Sequence, residues 1–307
     1  MREALAGVAI LGRAPAVTAG GIRIQSLGGR ANVSRVYDCS EPLERTRGIA
    51  EAVSAARRGE LIVLPTDTVY GVGADAFTPP AVSALLDAKG RGRQMPPPVL
   101  VGSVRAATAL VEDLGTYGQD LIDEFWPGAL TLVCRANQNL LWDLGETKGT
   151  VAVRMPMHEL AVELLKETGP LAVSSANLTG RAPARTVGDA EKMLGDAVSV
   201  YLDGGPSGHA EPSTIVDLTG SVPRLLRAGA VSEDKIRSVV GVLLTDEDER
   251  DDKDDDKDDG KDDGKDTEDS VPAPRTATEK DDEKGVEDAA KPSLVKDEPG
   301  PSLTKED

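Results

Sequence analysis

Short apolar runs that break off into hydroxyl, amide or guanidinium side chains constrain this chain more than any other feature. Leu61-Ile62-Val63-Leu64 stops at Pro65 and opens into Thr66, Asp67, Thr68 and Tyr70, and Thr150 to Val153 ends on Arg154. Leu171 to Val173 leads into Ser174, Ser175 and Asn177, while Ser213 precedes the run Thr214 to Asp217, and Arg224 to Leu226 ends on Arg227. Runs this short suit buried strands, as do Val99–Val101, Leu130–Cys134 and Val198–Tyr201. Helical periodicity fills the intervals at Glu44–Arg57, from Pro79 through Leu86, and at Val104–Leu114, Leu121–Phe125, Leu160–Glu167 and Val187–Leu194. Such alternation predicts an α/β fold, a twisted sheet with packed helices.

The stretch from Leu61 to Arg93 reads as strand, polar turn, helix and basic loop. Gly71 and Gly73 allow a tight turn or a close ligand, and Lys89, Arg91 and Arg93 gather where the helix ends. Strand-turn-helix units are common in α/β proteins, however, and cations at a helix C-terminus follow from the dipole alone. Gly71, Gly73 and Ala76 match a dinucleotide fingerprint, but Pro65 to Tyr70 separate them from the strand, and no acidic residue closes the next apolar run. A Rossmann site is therefore set aside. The Walker A pattern is also missing, so any nucleotide is held by another device.

Charge divides the chain of 307 residues unevenly. Asp246 to Asp307 holds 26 Asp and Glu against 11 Lys and Arg, with no Phe, Trp or Tyr; its net of −15 leaves −3 of the total −18 for the rest. Such a segment buries too little apolar surface to offset its ordering entropy, so residues 246–307 are expected to be a disordered acidic tail. Residues 1–40, loop-like through Gly20-Gly21 and Gly28-Gly29, are expected to be a poorly structured extension, with folding beginning near Glu41. No run approaches the roughly 20 apolar residues of a membrane span. Cys39 and Cys134 share no metal-like spacing, and His158 and His209 are the only imidazoles. A reducing cytoplasmic location is expected, without a metal site.

Ligands of open α/β sheets bind in the crevice outside strand ends. Arg154 and Arg227, read as uncompensated, together with Lys89 and Arg91, would make that crevice electropositive in an acidic protein, suiting a phosphate or carboxylate. The alternative is that each arginine sits in a surface ion pair.

Seven ordered blocks now carry a resemblance. Pro65-Thr-Asp-Thr-Val-Tyr-Gly71, Lys89-Gly-Arg91, Phe125-Trp-Pro-Gly128 with Leu130-Thr131, Val153-Arg-Met-Pro156, Ser175-Ala-Asn-Leu-Thr-Gly180, Ser213-Thr-Ile-Val-Asp217 and Arg227-Ala-Gly229 resemble the YrdC-like family. The match runs over 46–232, about 60% of the chain. It implies a single YrdC-like catalytic domain, a twisted open mixed sheet with helices around a basic cavity. The implied activity is threonylcarbamoyl-AMP synthesis from L-threonine, bicarbonate and ATP, with pyrophosphate released. That product would serve N6-threonylcarbamoyladenosine formation in tRNAs reading codons that begin with A.

By the same resemblance, Thr68, Arg154 and Ser213 would hold L-threonine, and Arg91, Thr150, Ser175, Asn177 and Arg227 would face ATP. Lys89 and Arg91 would be the catalytic cations. ATP is a substrate accompanied by Mg²⁺, with no dedicated protein metal site. Downstream threonylcarbamoyl-transferase proteins are the implied partners, with contact to tRNA or double-stranded RNA also allowed and no membrane contact expected. Met95 and Leu100 depart from the family, standing where a polar or basic residue and a His are usual; Arg93 would replace the lost phosphate contact.

Two other readings are open. A non-catalytic RNA-binding module could use the same basic cavity, although the net charge of −18 and the scarcity of aromatics oppose it. A carbamoyl-handling domain of hydrogenase-maturation proteins shares this fold, but its zinc-finger companion needs a Cys-rich segment that this sequence lacks.

Overall fold

A computed structural model describes residues 34–208 and 211–245. One mixed sheet of ten strands forms the frame. Its strands are β1 (Arg35–Asp38), β2 (Ile62–Leu64), β3 (Gly71–Asp75), β4 (Val99–Leu100), β5 (Leu130–Arg135), β6 (Thr150–Arg154), β7 (Leu171–Ser175), β8 (Val200–Asp203), β9 (Thr214–Asp217) and β10 (Arg224–Arg227). They lie in the order β1-β8-β2-β3-β7-β4-β6-β5-β9-β10. Seven α-helices pack around it: α1 (Pro42–Arg57), α2 (Pro79–Lys89), α3 (Val104–Leu110), α4 (Gly115–Phe125), α5 (Glu159–Thr168), α6 (Val187–Leu194) and α7 (Glu233–Val240). The α/β mixed sheet expected from the sequence is therefore the observed architecture.

Local chemistry explains several boundaries. Proline opens α1 and α2, where the missing N–H has no intrahelical partner to lose. Gly90 closes α2 at φ 61°, a left-handed conformation that costs glycine little. The hydroxyls of Ser103 and Thr186 accept from the backbone N–H groups of Ala106 and Asp189, capping α3 and α6. Helix α3 ends at Leu110 rather than Leu114 because Val111 turns extended and bridges to Ala136.

Two hydrophobic layers sandwich the sheet. Val63, Val72, Val99, Leu132, Val153 and Ala172 pack on one face with residues of α2, α4, α6 and α7. Ile62, Leu64, Leu100, Leu171, Val173 and Val200 pack on the other with α1 and α5.

Three elements correct the sequence reading. The polar turn after Leu64 leads into strand β3, paired antiparallel with β2 and β7, instead of passing straight to a helix. A Cβ on Gly71 would sit 2.6 Å from Val173 Cγ1, so its lack of a side chain lets this strand lie flat against β7. Strand β1 pairs in parallel with β8, so ordered structure starts before Glu41 and cuts into the expected extension of residues 1–40. Helix α7 continues beyond residue 232, burying Ile236 and Val240. Expectations for residues 1–33 and 246–307, and for His209, lie outside the described residues.

Candidate active site

A cavity of about 350 Å³ opens beside α1 and α5 on the same sheet face, where Leu100 and Val173 belong both to that core layer and to the cavity wall. Arg91, Arg154 and Arg227 line it together with Thr68, Ser175 and Ser213. The sheet joins them: Leu100 pairs with Arg154 across β4 and β6, and Thr131 lies beside Ile215 across β5 and β9.

Arg154 is the most constrained of the three. Its Nε donates to the Gly128 carbonyl at 2.8 Å, Nη1 to Thr68 Oγ1 at 3.0 Å and Nη2 to Asp67 Oδ1 at 2.7 Å. The same Asp67 oxygen accepts from the Met157 backbone N–H at 2.9 Å. Arg154 is thus compensated by a buried ion pair, which corrects both the uncompensated reading and the surface-pair alternative. A guanidinium carries five N–H groups, so these three bonds leave one on each Nη for a ligand. Burial lowers the Arg154 pKa while Asp67 opposes that shift.

Thr66 organises the turn that presents Thr68. Its hydroxyl donates to the Val69 carbonyl at 2.6 Å, accepts from the Thr68 N–H at 3.2 Å and lies 3.0 Å from Thr68 Oγ1. Across the cavity, the Ser213 hydroxyl lies 2.8 Å from Thr131 Oγ1 and accepts from Arg227 Nη2 at 3.0 Å. Arg227 also donates twice to the Ser213 carbonyl. Its pKa is lowered by burial and then by Arg154, so the two guanidiniums repel each other across the site.

Arg91 reaches the cavity from the end of α2, its Nη1 donating to Ser174 Oγ at 3.1 Å. Lys89 does not line the cavity: it is buried beneath the loop after β7 and donates to the Ser175 and Asn177 carbonyls and to Asn177 Oδ1. Burial and the neighbouring Arg91 push its pKa down to about 8. Asn177 is committed in the same way, donating to the carbonyls of Leu178 and Arg181. Both therefore hold the end of β7 at Ser175 and shape the loop that follows it.

Thr150 stands at the far end of β6, four residues from Arg154 and so about 13 Å away at strand spacing. Its hydroxyl donates to the Thr147 carbonyl, and it is not a wall residue. Arg93, expected as a substitute phosphate contact, is not a wall residue; it pairs with Asp143 at 2.7 Å on an exposed loop. Met95 is exposed, whereas Leu100 is a buried wall residue. Thr131, Ser174 and Tyr70 belong to the wall; the sequence marks Tyr70 and Ser174 as polar groups at strand ends without an assigned role, and gives Thr131 none. Thr131 and Ser174 lay within the quoted blocks or beside them, and only the tertiary pairing shows which way they face. Among the described residues, no group of three or more His, Cys, Asp or Glu side chains converges as a metal site.

The chain that carries this strand-end cavity, basic and rich in hydroxyls, resembles known proteins. The chain belongs to the Sua5/YciO/YrdC family, whose model, described as telomere recombination, matches residues 54–229. A Mycobacterium tuberculosis H37Rv protein provisionally named threonylcarbamoyl-AMP synthase is 54% identical over 210 residues, covering 68% of this chain and 97% of that protein. Threonylcarbamoyl-AMP synthase of Bacillus subtilis is 35% identical over 202 residues, 65% of this chain and 58% of that one. The crystal structure of Pyrococcus abyssi Sua5 complexed with L-threonine superposes with a TM-score of 0.64 at 32% identity, covering 68% of this chain. This chain spans 61% of that protein's length.

Proposed function

We propose that this protein is an L-threonylcarbamoyladenylate synthase, a nucleotidyltransferase that converts L-threonine, bicarbonate and ATP into threonylcarbamoyl-AMP, pyrophosphate and water. The observation that carries the reading is one cavity pairing a carboxylate site at Arg154, Thr68 and Ser213 with a second set of cations and hydroxyls at Arg91, Ser175 and Arg227. The proposed adenylate serves tRNA modification: downstream threonylcarbamoyl-transferase proteins transfer its group to adenosine in tRNA. The proposed setting is cytoplasmic; no helix among the described residues is long and apolar enough to cross a membrane.

In this scheme, the two remaining Nη hydrogens of Arg154 take the threonine carboxylate as a fork. Bicarbonate loses hydroxide, which takes up a proton and leaves as water, and the neutral amine attacks the carbon dioxide so formed, releasing an amine proton to give a carbamate. A carbamate oxygen then attacks the α-phosphorus of ATP, breaking its bond to the bridging oxygen as pyrophosphate leaves. Arg91 and Arg227 face the charge that accumulates on the phosphoryl oxygens and stabilise it without reorganisation. Lys89 acts by holding the end of β7 at Ser175 and the loop after it, and Asn177 is proposed for the same supporting role. ATP enters as its Mg²⁺ complex, a substrate form requiring no protein carboxylate cluster. A role for Thr150 toward ATP rests on the family resemblance alone.

Pyrophosphate release from ATP, with threonine and bicarbonate each present or omitted and serine as control, tests the reading. Release should require both, and Arg154→Ala should abolish it while leaving the fold intact. Release independent of threonine, or full activity in that variant, would overturn the assignment.

A further inference from the structure

Arg91, Arg154 and Arg227 line the cavity, and its wall contains no Asp or Glu. An amino acid brings an ammonium group with its carboxylate, so three guanidiniums alone would favour a simple anion over a zwitterion. Among the described residues, Asp67 makes the one carboxylate contact to any of the three. It stands immediately behind Arg154 with its side chain 11% exposed, fixed by Arg154 Nη2 and by the Met157 backbone N–H. Because neighbouring Thr68 bonds to Nη1 of the same guanidinium, the turn from Thr66 to Val69 sets both the orientation and the net charge of the carboxylate fork.

We infer that Asp67 is a specificity-determining counter-ion: by neutralising Arg154, it makes the carboxylate subsite select a zwitterionic amino acid over the corresponding monoanion. The inference rests on the synthase reading and assigns Asp67 a positioning role without contact with the reacting atoms. A merely structural Asp67 would hold Arg154 in place and affect every carboxylate equally. A counter-ion affects the two ligand classes in opposite directions.

The test uses calorimetric binding of L-threonine and of 3-hydroxybutyrate, which is threonine without its amino group, to the full chain. The parent should prefer threonine by about tenfold or more, the scale expected from one charge some 6 Å away in a half-buried site. In Asp67→Asn, threonine should weaken by about tenfold while 3-hydroxybutyrate tightens, and Asp67→Glu should restore most of the preference. Equal weakening of both ligands, or an unchanged ratio, would overturn the counter-ion role. Should Asp67→Asn fail to fold, the parent still decides: equal affinity for the two ligands sinks the inference. A parent that binds neither refutes the synthase reading itself and takes the inference with it.

Discussion

Replacing Lys89 with methionine separates a supporting lysine from a chemical one. The two side chains have similar stems, so the change removes the ammonium and leaves most of the volume. Three oxygens lose their donor, the carbonyls of Ser175 and Asn177 and Asn177 Oδ1. Orphaned buried acceptors cost about 1–3 kcal/mol each, or about 3–9 kcal/mol together. Against this, methionine escapes the burial penalty that holds the lysine near 8 instead of 10.5, which corresponds to about 3 kcal/mol. The midpoint is a net loss of about 2–3 kcal/mol, lowering Tm by about 5–10 °C in a domain of this size.

The stability profile supplies a second readout. An unfolded lysine keeps its proton to the ordinary 10.5, whereas the folded one releases it near 8. Between those values the unfolded chain binds more protons, so raising pH should stabilise the parent, and the methionine variant should lose this slope. In pyrophosphate-release assays, loosening the end of β7 at Ser175 and the loop after it should raise KM for ATP and lower kcat/KM by about 10²–10³-fold, leaving KM for threonine near that of the parent. Native stability with kcat alone abolished would refute the supporting role and make Lys89 a direct participant in the chemistry.

Gly71→Ala should destabilise by about 1–3 kcal/mol, since its Cβ would meet Val173 Cγ1 at 2.6 Å. Adding Val173→Ala should recover part of that loss in thermal denaturation, and an unchanged Tm in the single variant would contradict the packing account. His158 has a buried Nδ1 without a partner, and burial lowers its pKa from the ordinary 6.5. The unfolded state therefore takes up the proton first, and stability should fall as pH drops below about 6.5. His158→Asn should flatten that dependence in melts between pH 7 and 5; an unchanged slope would assign it to other groups.

Much of the sheet was legible because buried strands are apolar and short: Thr150–Arg154 and Thr214–Asp217 have the limits expected from sequence. Strand β3 was hidden by its glycines, which read as a turn until Val173 shows why side chains are excluded there. The residues of β1, Arg-Val-Tyr-Asp, are mostly exposed, so no apolar signal marks them and only β8 makes them a strand. The site divides similarly. Arg154, Thr68, Ser213, Arg91, Ser175 and Arg227 meet in one cavity, whereas Lys89 and Asn177 turn inward to hold a loop.

Sequence alone determined the alternation of elements, the residue types at the strand ends and the family blocks, because these depend on local propensity and on the order of side chains along the chain. Tertiary structure decided the electrostatics. Asp67 and Arg154 are separated by 87 positions, yet stand 2.7 Å apart in a buried pair. Arg93, close to the site in sequence, is drawn outward by Asp143. Whether a cation is free, paired or committed to a loop depends on distance and desolvation, which only the folded chain sets.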